Sequence, residues 1–490
     1  MIEHHPKSFA PLLIWVISIP LVALVSLLTA YAPTQSTALV LGATFVAVAF
    51  AVPQRWLLVW TLIFAALIGG SIEYFLGIGQ ANWIPFILSF VLATRAILES
   101  HSPRLAVQRR ARQPTALFTV PAWIFLAILV GSAVANAAPI LQVLAATKNY
   151  LLMWGVLVAL ALMPNLKQAT SLVWKWILII AAIQLPVTLY QKLFIASKLS
   201  NTPGSASFDA INGTFGGGVL GGRSGALAMF ICIALAYALI QWRDKRWKTS
   251  HLITFLMVTL PTFAVIEVKA IVFWLPAVVF LVFFAVIHRR PLTFLAMLIS
   301  SVLIAIGVMY VYQESYGGRS GGGSLIEAFL QRISYVFDPD RFNPVSRELG
   351  RVSVLTHWWR ENSISDPLHF LLGYGPGASR GISTIAIGTV AAHYSFYIDL
   401  SAAAALLWDS GLLGLLAFLT MLVLGAVQTK LQARKLGGDE SFRVNLEAAS
   451  IALWLILSSV FYVREAVDGP IVQFTMFFCL GHAILGQMKR

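Results

Sequence analysis

The chain has 490 residues, 59% of them hydrophobic and only 11% charged, with a mean hydropathy of +0.82. A soluble globule needs about twice that charge to cover its surface, so the composition excludes one and reads as an all-α polytopic membrane protein. The net charge of +14 raises nucleic acid as a partner, but the excess falls mainly in short loops between apolar runs, where membrane topology accounts for it, and no nucleic-acid binding is expected.

With no water inside a bilayer the backbone must satisfy itself as helix, and about 20 apolar residues cross a hydrocarbon core of about 30 Å. In chain order, runs of this kind fall at 9–31, 36–52, 56–78, 82–98, 117–137, 148–164, 169–194, 224–242, 251–267, 270–287, 292–312, 400–427, 445–463 and 470–486. They give an expectation of about 14 transmembrane helices. Met1 to Lys7 is a short polar tail before the first run, which is expected to act as an uncleaved anchor. Cys232 and Cys479 each fall within an apolar run, so no disulfide framework is expected.

Basic clusters at Arg104 to Arg112, Arg243 to Lys248, Arg289-Arg290, Lys430 to Lys435 and Lys489-Arg490 all fall on one side when these runs alternate. By the positive-inside rule that side is cytoplasmic and holds both termini. The division expected is N-terminal helices over 1–200, central helices with a glycine-rich outer loop over 201–312, a large outer loop with short helices over 313–392, and C-terminal helices over 393–490.

The first outer loop carries Asn212-Gly213-Thr214-Phe215-Gly216-Gly217-Gly218 and continues to Gly221-Gly222-Arg223-Ser224-Gly225. Glycines allow positive φ and close backbone approach, and Arg223 stands where the next helix starts. It either joins the helix N-terminus in a phosphate site or snorkels to lipid phosphates. Lys269 lies at a tight outer corner with Glu267, where it marks the membrane surface or faces a polar cavity.

In the large loop, Ser346 to Arg360 has helical spacing that puts Arg347, Arg351, Leu355 and Trp358 on one stripe. Two guanidiniums one turn apart repel unless an anion lies between them, and a diphosphate suits their planar forks. The alternative is a solvated face with Glu348 as local partner and Trp358 at the interface or stacked on a sugar. Leu372-Gly373-Tyr374-Gly375-Pro376-Gly377 can only be a turn. His393, followed by Tyr394, returns towards it, and an imidazole titrates closest to neutral pH.

Taken in order, Gly213 to Gly216 before a span, Lys269 at an outer corner, the segment Arg351 to Trp358, Leu372 to Gly377, His393 and Ser410 to Gly414 resemble the O-antigen polymerase and ligase superfamily. These Wzy-like and WaaL-like proteins are integral membrane glycosyltransferases of GT-C type, and the resemblance covers roughly residues 200 to 425. Tyr394 stands where ligases have Asn after the His, and Lys269 where Arg is common, which is closer to exopolysaccharide polymerases than to lipid A ligases.

The resemblance implies polymerisation of undecaprenyl diphosphate-linked oligosaccharide repeat units on the periplasmic face of a bacterial inner membrane. Donor and acceptor are both lipid-linked, membrane lipid surrounds the protein, and a flippase and a chain-length co-polymerase are further partners. It also implies His393 and Arg351 as catalytic residues, with Arg223, Lys269, Arg347, Gly375, Gly377, Trp358 and Tyr394 at the diphosphate or substrate. Because the leaving group is already a diphosphate, cationic side chains suffice to neutralise it, and no metal or other cofactor is expected. The rival readings are a ligase that moves finished polymer to a separate acceptor and, from another class, a lipid-linked oligosaccharide flippase or transporter.

Overall fold

The computed structural model describes residues 33–101, 116–199, 210–217, 222–316 and 334–487, with short breaks at 267, 288–290, 335–336, 345–346, 363, 383–384 and 437–438. The run 9–31, the basic stretch Arg104 to Arg112, Arg289-Arg290, Lys489-Arg490 and the Gly317-Gly318-Arg319 segment lie outside the described residues. Two compact units are present, Met1–Pro53 and Gln54–Arg490. The described part of the first is one helix, α1 (Pro33–Ala51).

The second unit is almost wholly helical. Its membrane-type helices begin with α2 (Gln54–Leu76), α3 (Trp83–Ser100), α4 (Thr119–Ala135), α5 (Ile140–Leu151), α6 (Trp154–Leu162) and α7 (Lys167–Leu199). They continue with α8 (Ser224–Arg243), α9 (Thr249–Val265), α10 (Ile271–Phe283) and α11 (Pro291–Tyr316). After the large loop come α14 (Ala402–Lys435), α15 (Glu440–Ser459), the short α16 (Glu465–Asp468) and α17 (Pro470–Leu485). The loop itself holds a two-residue hairpin, β1 (Phe342–Asn343) against β2 (Glu348–Leu349), and the short helices α12 (Ser353–Glu361) and α13 (Pro367–Leu372).

Among the described residues seven helices are long and apolar enough to cross a bilayer, or eight if α5 and α6, bent by 51° at their junction, form one span. The count of about 14 expected from hydropathy is therefore not reached on length. Part of the difference is that the run 9–31 lies outside the described residues; the rest has a physical side, since α4, α9, α10 and α17 are apolar but have 17 residues or fewer. At 1.5 Å per residue such helices fall short of a full hydrocarbon core unless flanking turns complete the crossing.

Helix α8 is the axis of the body. Nearly all of its residues are buried, which is why its sequence shows no polar face. It packs on α10, α15, α9 and α7. Its two ends, separated by about 30 Å of helix, are both polar but built differently. At the Arg243 end, Arg243 pairs with Glu447 at 2.6 Å, Lys430 with Glu447 at 2.7 Å and Arg443 with Asp244 at 2.8 Å. At the Arg223 end lies the second set of charges, described below.

The device that fixes the Arg223 end is a break in α14. Gly411 has φ 65 and ψ −170, so the helix stops and restarts there. The carbonyls left without intrahelical partners are taken by the glycine loop: Tyr374 N–H donates to Trp408 O at 2.8 Å and Gly375 N–H to Asp409 O at 3.1 Å. The loop is held from the other side by Asn136, whose amide donates to Gly373 O at 2.9 Å, and by Gln142, whose amide donates to Pro376 O at 3.1 Å.

A Cβ on Gly411 would collide with the Leu371 carbonyl, and its backbone lies in a region that is essentially glycine's alone. Gly411→Ala is expected to cost roughly 1–3 kcal/mol from backbone strain and further from the collision. Gly131→Ala, with open space at its Cβ, serves as the control. Melting of both variants in detergent checks this; equal melting of Gly411→Ala and wild type would overturn the account of the break.

Candidate functional site

Asp409 is 3% exposed and sits on the last turn before the break. Its carboxylate accepts from Gly377 N–H at 2.7 Å, Ser379 N–H at 2.8 Å and Tyr150 O–H at 2.8 Å. Gly375 and Gly377, with φ 99 and 81, turn these N–H groups inward. The glycine loop thus forms an anion-binding nest, and the anion in it is the chain's own Asp409.

Next to Asp409 lies a small cleft lined by Tyr150, Ser379, Arg380, Asp399, Arg464 and Asp468 among others. Two guanidiniums converge on one carboxylate oxygen: Arg464 Nη2 lies 2.7 Å and Arg380 Nη1 3.2 Å from Asp468 Oδ2. Arg464 also pairs with Asp399 at 2.6 Å. Burial raises the Asp468 carboxyl, but the Arg464 and Arg380 charges outweigh it and hold it down to about 2. Burial lowers Arg380, and the neighbouring Arg464 adds repulsion.

Three further cations belong to the same end. Arg223, at the start of α8, lies 3.4 Å from Glu73 and donates to Phe215 O at 3.0 Å. Arg351 donates to the Leu400 carbonyl and lies over the Tyr462 ring at 5.4 Å. Lys148 lies over the Trp83 ring at 5.1 Å, within electrostatic reach of Arg380, Asp468, Arg223 and Glu73. Burial pushes the Glu465 carboxyl up, Asp468 adds to this, and Arg223 and Arg351 oppose it, which places both arginines close to α16.

The glycine-rich segment before α8 is a tightly bonded turn. Gln184 and Gln191, two turns apart on α7, both grip it: Gln184 accepts from Thr214 N–H at 3.0 Å and donates to Thr214 Oγ1 at 2.8 Å. Gln191 accepts from Gly213 N–H and donates to Gly213 O, both at 2.7 Å. Thr214 Oγ1 donates to Ala66 O, a carbonyl in the π-helical turn Phe64–Ile68 of α2. Gly217 N–H donates to Glu73 at 3.0 Å. Side chains of the protein thus occupy several of the donors that the sequence offered to a phosphate.

Of the residues singled out in the sequence, Arg223 and Arg351 come together at this end with Gly375 and Gly377. The N–H groups of both glycines are already engaged by Asp409, as backbone and side-chain acceptor respectively. Lys269 is half-buried at the start of α10, whose Trp274 ring meets Tyr462 at 5.8 Å. The helical stripe requires correction. Arg347 is exposed, with φ 57, in the turn of the β1–β2 hairpin, and α12 begins only at Ser353. Gly350 closes the hairpin by donating to Arg341 O at 2.9 Å, so Arg347 and Arg351 are not one helical turn apart.

Trp358 is 2% exposed and stacked on Phe370, inside the loop's own core, whereas Trp359 is 62% exposed. His393 is exposed in the turn Ala391–His393. That turn is tied to the glycine loop, because Val390 and Ala391 N–H groups both donate to Ala378 O. Tyr394 is half-buried against His357 at 5.1 Å between ring centroids.

Lys148, Arg380, Arg464, Glu73 and Asp468 were not among the residues chosen from sequence. The available signals were Arg380 three residues after Gly377 and the charged run Arg464 to Asp468 in an outer corner between two apolar runs. Among the described residues no group of three or more His, Cys, Asp or Glu side chains is placed to hold a metal ion. No family model matches the chain, and no curated protein matches it.

Removal of the Asp409 carboxylate leaves three enclosed donors without an acceptor, at about 1–3 kcal/mol each. Asp409→Ala is therefore expected to melt well below wild type, and Asp409→Asn, which keeps one acceptor oxygen, in between. Limited proteolysis across 371–390 is the second readout; wild-type resistance in Asp409→Ala would sink the assignment.

The His357 imidazole is pushed below its ordinary value, chiefly by burial, with Glu361 opposing and Arg360 adding to the shift. Its folded pKa thus lies below the unfolded one, so the stability it contributes is present above about pH 6.5 and lost as pH falls below that value. Hydrogen exchange in α12, corrected for intrinsic rates, is expected to accelerate from about pH 7 to about pH 5, and His357→Phe to flatten this dependence. An unchanged pH dependence in that variant would refute it.

Proposed function

We propose that the chain is a membrane glycosyltransferase that polymerises undecaprenyl diphosphate-linked oligosaccharide repeat units, working on the periplasmic side of a bacterial inner membrane. The observation that carries the reading is the cleft beside Asp409, where Arg380 and Arg464 converge, with Arg223, Arg351 and Lys148 close by. A diphosphate on a lipid is an anion that reaches such a place by lateral entry, and guanidinium forks match its oxygens.

In this reading a diphosphate oxygen replaces Asp468 as partner of Arg380, and the cations take up the charge that develops as the bond from the anomeric carbon to the diphosphate oxygen breaks. An acceptor hydroxyl oxygen attacks the anomeric carbon from the opposite face. His393, on the turn tied to the glycine loop, takes the hydroxyl proton. The new glycosidic bond has inverted configuration, and the lipid diphosphate leaves with the bonding electron pair. Both termini are cytoplasmic in this orientation.

Purified protein in liposomes, supplied with lipid-linked repeat units, is expected to give a ladder of lengthening products. His393→Ala, Arg351→Ala and Arg380→Ala are each expected to reduce it by at least about 100-fold at unchanged protein level. One transfer to a separate acceptor without a ladder supports the ligase instead. Unmodified substrate appearing on the other side of the bilayer would overturn enzymatic transfer in favour of transport.

A further inference from the structure

The large loop builds a second feature that the cationic cleft does not use. His357, Tyr394, Phe396 and Trp408 come from three segments of chain and form one aromatic cluster. The His357 ring lies 5.1 Å from Tyr394, 5.3 Å from Phe396 and 6.0 Å from Trp408, and Tyr394 lies 5.2 Å from Phe396. Trp408, 1% exposed, forms the floor. His357, Tyr394 and Phe396 are each half-buried.

Two properties set this cluster apart from an ordinary loop core. His357 Nε2 and Trp408 Nε1 are enclosed and have no hydrogen-bond partner among the described residues, a state that costs about 1–3 kcal/mol for each atom. Charges of both signs flank the cluster: exposed Glu361 lies beside Tyr394, whose hydroxyl is pushed up to about 12 by burial and then by the Glu361 charge, and Arg360, paired with Asp340 at 3.0 Å, acts on His357. A sugar ring fits, because its C–H face packs on an aromatic face while its hydroxyls donate to a carboxylate, accept from the Trp408 N–H and pair with His357 Nε2.

Position supplies the third argument. Trp408 and Asp409 are consecutive, about 3.8 Å apart along the chain, and their side chains serve different features, Trp408 the aromatic cluster and Asp409 the cationic cleft. We propose that the basin formed by His357, Tyr394, Phe396 and Trp408 is a carbohydrate subsite, taking one sugar ring of a glycan beside the cationic cleft. A hydroxyl that enters as the half-exposed Tyr394 ring turns aside gives the enclosed nitrogens a partner. As the acceptor's place, the subsite rests on the glycosyl-transfer reading; as a glycan site it stands by itself.

The test applies the full-length protein in nanodiscs to an array of defined microbial oligosaccharides free of lipid and diphosphate. Wild type is expected to be retained on a subset of glycans, and Tyr394→Ala and Phe396→Ala to lose about tenfold in retention, with Tyr394→Phe close to wild type. Melting of each variant controls for folding, and Arg380→Ala is expected to retain glycan like wild type. Retention on no glycan, or equal retention in Phe396→Ala, overturns the subsite. Failure of the polymerase reading gives a different result: retention that depends on these rings but no product from lipid-linked repeat units.

Discussion

The Arg223 end of the protein depends on one carboxylate. Asp409 stands on a membrane helix, enclosed, and a carboxylate there is costly unless its lone pairs are filled. Two backbone N–H groups and a tyrosine hydroxyl fill them. The same contacts decide where the loop after residue 372 goes, since Gly377 and Ser379 can reach Asp409 only if the chain lies in the Gly411 break. Loop and break are therefore one structure: the break exposes carbonyls, the loop supplies donors, and the carboxylate locks the pair. Asn136 and Gln142 add α4 and α5 to the same arrangement.

This lock determines what the cleft can be. Arg380 follows the locked segment by one residue, so its guanidinium is delivered to Asp468 from a fixed backbone. Arg464 comes from the corner after α15 and brings Asp399 and Asp468 together. Burial works against the charge on Arg464, but Asp399 and Asp468 outweigh it, and the guanidinium stays charged. The cations are thus set in place before any ligand arrives, and a ligand need only compete with carboxylates already there.

Helices were legible in the sequence and their role as complete spans was not. Apolar runs from 36–52 onward coincide with helices, because twenty apolar residues in this composition have no other way to satisfy their backbone. Hydropathy cannot see that α4, α9, α10 and α17 are short, or that α5 and α6 meet at 51°. In the loop, Leu372 to Gly377 was recognisable as a turn from its glycines and proline alone. The partner of that turn was not, since nothing in a single sequence pairs Gly377 with a residue 32 positions later. Arg347 and Arg351 failed as a helical stripe for a local reason: spacing of four fits a helix, but the Gly350 turn and the hairpin claimed those residues first.

Consecutive residues on a regular helix point about 100° apart, and the difference between Trp408 and Asp409 is put to use because the helix ends there. One more regular turn would direct the following residues back into the bundle and close the gap that the glycine loop occupies. With the break at Gly411, the last turn of the first half of α14 instead presents an aromatic floor on one side and a carboxylate on the other. Both sides are then covered by the same excursion of chain, 373–379 over Asp409 and 394–396 over Trp408.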